Sequence, residues 1–354
     1  MYHPTFNLHT ASTFRSSSGS DKEGGSGGSD LNFQNLPIRD PVRGEMIRKA
    51  FIPRKGRRIV EIDFSGIEVR VSACYHKDPV LIKYIEDPTT DMHRDTAAEL
   101  FSLPVEFLIK HSDWAKRGVR DWAKNRFVFP EFYGSVYFQC APNLWEGVQG
   151  YKQPVPGTEL TLLEYLKTKG IKELGDCDPR GKPKPGTFDN RCKEVENSFW
   201  KERFQVYDAW KSSFFAAYQR NGGFKTLTGF YVGAIGGKMG LLRKNDVTNY
   251  PIQGSAFHCL LWSVIQLVKH VHKHKMKAKV IGQIHDSVLF DCPDNEVQDL
   301  LTAAHRIMTR DLPRAWKWLI VPLETESEVT PIDGSWYTKS QWVDADGTWG
   351  PKKK

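Results

Sequence analysis

The stretch RRIVEIDFSGIEVRV, which ends at Val71, constrains this chain more than any other. Ile59, Val60 and Ile62 are β-branched and bracket a single charge, Glu61, so the segment opens as a strand. The strand ends at Asp63, and Ser65-Gly66 breaks it before Ile67, Val69 and Val71 follow with Glu68 and Arg70 between them. A carboxylate where a buried strand gives way to a turn is a common address for a metal ligand or catalytic group. The strand holds it rigidly and the open end admits ligands. A lone aspartate at such a place is more often a turn cap. Its companion comes late, in KAKVIGQIHDSVLFDCP, Lys277 to Pro293. That segment reads as a β-hairpin, with Val280 and Ile284 on one arm, Val288 and Phe290 on the other and His285-Asp286-Ser287 at the tip. His-Asp is poor turn chemistry, and sequences that break a local rule often do so at a working site. If Asp63 and Asp286 meet on adjacent strands, they repel unless divalent cations bridge them. Two Mg²⁺ held that way can lower the pKa of an attacking hydroxyl and stabilise a leaving pyrophosphate.

The 354 residues suffice for one large domain or two to three subdomains, and 40% hydrophobic content allows a real core. A net charge of +8 favours an anionic partner without naming it. The six cysteines form no C-x-x-C pair and fit neither a zinc ribbon nor a disulfide framework, so they read as reduced thiols of an intracellular protein. No apolar run reaches membrane-spanning length and no signal peptide opens the chain. Met1-Tyr2-His3-Pro4 leads directly into structured-looking sequence, as in a fragment or one piece of a split protein.

Residues 1–15 read as extended, and Ser16 to Asp30 as a flexible low-complexity segment. Leu31 to Asp40 reads as a surface loop and Gly44 to Phe51 as a short helix. Thr89-Thr90-Asp91 offers caps for a helix over MHRDTAAELF. In WAKRGVRDWAKNRFVFPEFYG, Arg120 and Lys124 share a helical face, and Phe127, Phe129, Phe132 and Tyr133 add aromatic rings. A basic face with interleaved aromatics suits phosphates plus bases; on this stretch alone a solvated basic side over a core aromatic side is the commoner meaning. Ala141 to Asn190 is rich in Gly, Pro and Lys and reads as a surface insertion with one helix, Leu160 to Thr168. Glu194 to Arg220 reads as one long amphipathic helix, Lys225 to Gly240 as a Gly-rich hairpin, and Asn249 onward as an apolar helix. A helix over Glu296 to Arg310 and a strand near Leu319 to Thr325 follow.

In this order the motifs resemble the polymerase domain of the family A DNA polymerases, the bacterial DNA polymerase I class, and most of all a phage member. The family's DYSQIELRV is matched by Asp63 to Val71, its R-x3-K with a following YG by Arg120, Lys124 and Tyr133-Gly134, and its QVHDE by Gln283 to Ser287. Asn32 to Arg39, Asp91 to Ala97, Thr226 to Gly229 and Ile252-Gln253-Gly254 match further family segments. The resemblance implies an α+β chain in the right-hand polymerase fold, an antiparallel palm sheet with helical fingers. Residues 1–75 would be the N-terminal part of the palm, with the Gly/Ser segment 16–30. Residues 76–240 would be the fingers, with an insertion at about 141–190, and 241–354 the C-terminal part of the palm.

The resemblance also implies roles. Asp63 and Asp286 would be catalytic ligands of two Mg²⁺; Lys124, also catalytic, and Arg120 would engage the triphosphate with His93 nearby; Tyr133 would help bind the nucleotide; and Glu68 would be the steric gate that leaves no room for a ribose 2′-OH. Arg15, Gln253, Gln283 and His285 match residues at the primer-template minor groove, where contacts test pair shape rather than sequence. Gln34 and Asn35 match a loop near the template. Partners would be primer-template DNA and dNTPs, with no membrane, in the cytoplasm, or the host cytoplasm for a viral protein. This chain departs from the pattern at Ser287, where the family has Glu, and at Gly66, where it has Gln. Lys124 to Tyr133 spans nine residues where the family has eight, so with Pro130 a local π-bulge is expected. Counting back from Tyr133 makes Phe129 the nucleotide-stacking ring, whereas counting on from Lys124 gives Val128; Phe129 is chosen. Family members with Phe there discriminate against dideoxynucleotides and those with Tyr accept them. The thumb and any exonuclease are not in these residues, so they are missing or come from a separate chain. Two rival readings remain at this point: a nucleic-acid-binding scaffold weakened by Ser287, and an RNA polymerase of related fold, which Glu68 disfavours.

Overall fold

A computed structural model describes residues 6–8, 11, 13, 15–19, 32–36, 41–233 and 242–352. Ten strands are described: β1 (Phe6–Asn7), β2 (Ser17–Ser18), β3 (Arg57–Phe64), β4 (Gly223–Lys225), β5 (Tyr231–Gly233), β6 (Lys279–Ile284), β7 (Ser287–Pro293), β8 (Thr325–Val329), β9 (Ser340–Ala345) and β10 (Thr348–Pro351). Six of them form one antiparallel sheet in the order β10-β9-β8-β3-β7-β6. The pairs β1-β2 and β4-β5 are separate antiparallel ribbons. The result is a mixed fold of helices and small antiparallel sheets.

Two compact units divide the chain. The first comprises Met1–Tyr75, Ala217–Leu242 and Asp246–Lys354; the second comprises His76–Ala216 and Arg243–Asn245. Residues 217–233 fall in the first unit.

In the first unit β3 lies inside the sheet, paired with β7 on one edge and β8 on the other, and side chains pack on both its faces. Val60, Ile62 and Phe64 are buried on one face. On the other, Ile59 joins a cluster with Phe33, Leu36, Leu289 and Trp336. The helix Val297–Arg306 packs on β3 and β10. Its Gln298 is locked to Trp349, accepting from the backbone N–H (2.8 Å) and donating to the carbonyl (2.6 Å). Phe33 stacks on Trp336 at 5.9 Å and 13°. The expected surface loop over Leu31–Asp40 is thus a plug in its described part: Phe33 and Leu36 are buried, and Phe33–Asn35 form a 3-10 turn capped by Asn32. Within the expected flexible segment, Ser17–Ser18 is strand, and the Ser18 hydroxyl accepts from the Phe33 N–H at 3.2 Å. Residues 20–30 of that segment, and 234–240 of the Gly-rich hairpin, lie outside the described residues.

The helix after Asp63 runs Ile67–His76, and Gly66 at φ +61° makes the entry turn. A side chain is strained in that left-handed region, so glycine here serves the backbone. The expected strand near Leu319–Thr325 begins only at Thr325, because Pro322 has no N–H to give a ladder. The hairpin β9-β10 was not anticipated.

The second unit is helical. Its helix Tyr137–Gly150 buries Cys140, Ala141, Leu144, Trp145 and Val148, so Ala141–Gly150 is core rather than the start of a surface insertion. Pro142, Gly147 and Gly150 all lie within this helix, so glycine and proline content alone does not mark a surface segment here. The expected single helix Glu194–Arg220 is two, Phe188–Asn197 and Gln205–Asn221. A π-helical stretch Ser198–Arg203 joins them and ends at Phe204, whose backbone leaves helical space (φ −107°, ψ 49°). Phe199 and Phe204, five apart, pack edge-to-face at 4.7 Å, the contact one π turn allows. Among the described residues no helix is long and apolar enough to cross a membrane.

Candidate active site

The carboxylates come from neighbouring strands of the first unit. Asp63, one residue before the end of β3, lies opposite Ser287 of β7 and Glu326 of β8, and Asp286 immediately precedes Ser287 at the hairpin tip. His285 holds the tip in the left-handed region at φ 48°, an uncommon position for a residue with a side chain. The Phe64 N–H donates to the Asp286 carbonyl at 3.3 Å, which ties the tip to the strand end. Burial, then the charge of Asp286, then those of Glu61 and Glu326 push Asp63 up to about 8, with Lys339 opposing. Burial also raises Asp286, with Arg15 and His285 opposing. The sheet therefore gathers negative charge at one end. Among the described residues no three His, Cys, Asp or Glu side chains converge on a single ion position.

The hydroxyl of Ser287, in place of the family's glutamate, lies 3.0 Å from the Ile284 carbonyl and 3.3 Å from Glu61 Oε1, either of which can accept its one proton. Glu61 is further held by Trp336 Nε1 (2.7 Å) and Lys339 Nζ (2.5 Å). Period-two alternation from Asp63 puts Glu61 on the same strand face, a signal the sequence reading passed over. Glu68, in the first turn of the helix after Asp63, is ion-paired with Arg15.

The residues matched to DNA contacts partly converge. Gln34 Nε2 donates to Gln283 Oε1 at 2.7 Å and to Ser16 Oγ at 2.8 Å, and Gln283 Nε2 donates to the His285 carbonyl at 2.5 Å. Asn35 is exposed beside them in sequence. Gln253 is half-buried on the helix Lys244–Lys273, and no described hydrogen bond ties it to this group.

In the second unit, Asp91 has a role besides the expected helix cap. It does cap, accepting from the His93 and Arg94 N–H groups at 3.0 and 3.1 Å, and its other oxygen accepts from Arg120 Nε at 2.6 Å. Burial pushes Asp91 up, but the Arg120 bond, the Arg94 N–H and the nearby cations outweigh it and hold the group below its usual range. Burial, then the Arg120 charge, lowers His93 to about 4, so its ring is neutral near pH 7. His93 Nδ1 is buried without a hydrogen-bond partner.

The extra residue after Lys124 is absorbed as a π-helical stretch, Lys124–Val128, in which the Phe129 N–H donates to the Lys124 carbonyl. One π turn brings residue i+5 onto the face that residue i+4 has in an α-helix. Phe129 accordingly sits beside Lys124, whose Nζ is 5.5 Å from the ring centroid, and meets the His93 ring edge-on at 5.7 Å. Phe127 is fully buried against Phe199, and Val128 is buried too. Tyr133 is exposed.

The first unit thus carries a carboxylate pair beside paired strand ends, and the second a helix face that bears Arg120, Lys124 and Phe129. The sequence pattern of DNA polymerase family A matches residues 3–147 and 187–337, and the chain belongs to that family. The unmatched residues between the two matched stretches, 148–186, begin where the buried helix Tyr137–Gly150 is ending. The chain is 25% identical over 330 residues to the thermostable DNA polymerase I of Thermus thermophilus, covering 92% of this chain. It is 23% identical over 344 residues to the DNA polymerase of Bacillus phage SP01, covering 93%. It spans 31% of the length of each of these relatives. Among solved structures, the POL domain of Pol1 from M. smegmatis, in complex with DNA primer-template and dNTP, shares the fold. The TM-score is 0.67 at 21% identity, covering 95% of this chain and 48% of that one.

Proposed function

We propose that this chain performs template-directed DNA synthesis, in which a primer 3′-OH attacks the α-phosphate of a dNTP and pyrophosphate leaves. The observation that carries the reading is the Asp63–Asp286 pair, two carboxylates of one charge brought together at the ends of paired strands. The donor set fits Mg²⁺: it offers hard carboxylate oxygens, and their mutual repulsion is what a divalent cation relieves. Bound there, two Mg²⁺ would supply a lowered pKa at the attacking hydroxyl and charge neutralisation at the leaving group.

The chain's own residues do the rest. Arg120, aimed by Asp91, and Lys124 bind triphosphate oxygens and meet the charge that builds on pyrophosphate. Phe129 offers its ring to the incoming base with Tyr133 at the same helix end, and neutral His93 donates to a phosphate oxygen. Glu68, steadied by Arg15, fills the space of a 2′-OH. Arg15, Gln253, Gln283 and His285 contact the minor groove, and Gln34 and Asn35 the template strand. In this reading the sheet-bearing unit is the palm of a right-hand polymerase and the helical unit its fingers. The phage relative supports a role in viral DNA replication, in the host cytoplasm.

The test is primer extension with Mg²⁺, first with dNTPs and then with rNTPs. Asp63→Asn or Asp286→Asn lowers extension by orders of magnitude while primer-template binding survives. Near-normal extension by either purified variant would overturn the assignment. A second reading, a DNA-binding scaffold without chemistry, is favoured by Ser287, whose hydroxyl faces the Ile284 carbonyl and Glu61 and adds no carboxylate. Wild-type chain that binds primer-template but extends nothing would select it.

A further inference from the structure

The helix Lys244–Lys273 ends in a dense run of cations, and one face of that run lines a groove of about 260 Å³. Lys269 and Lys273 stand on one wall and Arg306, from the helix Val297–Arg306, on the other. The groove has three permanent cations (Lys269, Lys273, Arg306) and one carboxylate, Asp311, which is already shared between Arg306 at 3.6 Å and Arg314 at 3.7 Å. His270 registers the field: burial first, then the His274, Arg306 and Lys273 charges, lower its pKa, with Asp299 opposing. Lysines at a helix C-terminus are favoured by the helix dipole, which accounts for Lys269 and Lys273. It accounts neither for Arg306 on a separate helix nor for what borders the groove.

That border is aromatic. Trp262 lines the groove and meets Trp316 at 6.2 Å, and Trp316 stacks on Trp318 at 5.6 Å and 25°. All three tryptophans are half-buried, with exposed Arg314 and Lys317 among them in sequence. A cationic groove beside flat rings is the arrangement that holds a nucleic-acid single strand: cations track the phosphates and unpaired bases stack on the rings. A duplex hides its base faces, and an acidic polypeptide would satisfy the cations but bring no flat partner for the tryptophans.

We propose that this groove and its tryptophan border are a second nucleic-acid site that takes single-stranded DNA. Its phosphates lie against Lys269, Lys273 and Arg306, and its bases lie on the Trp316–Trp318 stack. None of these residues belongs to the polymerase assignment above, so the two stand or fall separately.

The probe is a fluorescein-labelled oligothymidylate, added to the full chain after unlabelled primer-template hairpin has saturated the polymerase site. Binding is read by anisotropy and stacking by quenching of tryptophan emission. Lys269 and Lys273 are exposed, so Lys269→Glu/Lys273→Glu keeps the fold. It should weaken oligothymidylate roughly tenfold and flatten the slope of log K against log salt by about 1.4, two phosphate contacts on a single strand. Trp318→Leu should remove much of the quenching, while primer extension by both variants stays at the wild-type level. Unchanged oligothymidylate affinity in the lysine variant would overturn the proposal. So would polyglutamate that competes as well as oligothymidylate, which would make the groove a docking site for an acidic protein. Loss of primer extension in wild type with oligothymidylate binding intact would defeat the polymerase reading and leave this one standing.

Discussion

Phe127 and Phe129 are two residues apart, and the π turn gives them opposite fates, so adding one hydroxyl to each is a sharp test of the helix register. Phe127 is fully buried and packs edge-to-face on Phe199 at 6.1 Å. A tyrosine there buries a hydroxyl in an aromatic cluster. An unsatisfied buried polar group costs about 1–3 kcal/mol, and for a unit of this size each kcal/mol lowers Tm by roughly 2–4 °C. Phe127→Tyr should therefore melt about 2–12 °C below wild type, with its dideoxy-to-deoxynucleotide selectivity unchanged. Phe129 is half-buried beside Lys124 and His93. Its added hydroxyl can stay solvated, so stability should hold within about 0.5 kcal/mol. If Phe129 stacks on the incoming nucleotide, Phe129→Tyr should improve dideoxynucleotide use and leave dNTP use nearly intact, because a hydroxyl there can replace interactions lost with the missing 3′-OH. The assay is single-nucleotide incorporation kinetics for both variants beside a melting curve. A selectivity change in Phe127→Tyr with only a lower Tm in Phe129→Tyr would refute the register.

Other perturbations follow from the first unit. Glu68→Ala should raise rNTP incorporation relative to dNTP, and Arg15→Ala should do so more weakly by releasing Glu68 from its ion pair; an unchanged ratio in single-nucleotide kinetics rejects the gate. Lys339→Met removes one of the donors that hold the largely buried Glu61 carboxylate. Breaking a buried pair costs about 3 kcal/mol, and chemical denaturation that shows no loss would mean water already compensates Glu61. Gly282→Ala places a Cβ 2.5 Å from Phe33 Cε1, so the ring packed against Trp336 must move. Such overpacking costs about 1–3 kcal/mol, and a Tm equal to wild type would show that the Phe33 plug is loose.

Much of the site could be read from the chain because its signals are local. A β-branched run ending in Asp63, a hairpin whose tip is His-Asp, and one residue too many between Lys124 and Tyr133 each lie within a few residues. They led to the strand end, the hairpin β6-β7 and the π-helical stretch that are found. The cap at Asp91 was visible for the same reason. Other features depend on partners far along the chain. Phe33 is buried only because Trp336 and Leu289 cover it, Asp91 anchors an arginine 29 residues away, and Glu326 faces Asp63 only through the β3-β8 register. Local sequence sets backbone preference and which side of a strand or helix a residue takes. Which distant side chain fills the space opposite is set by close packing and by the register of long-range strand pairs, and those exist only once the sheet has formed.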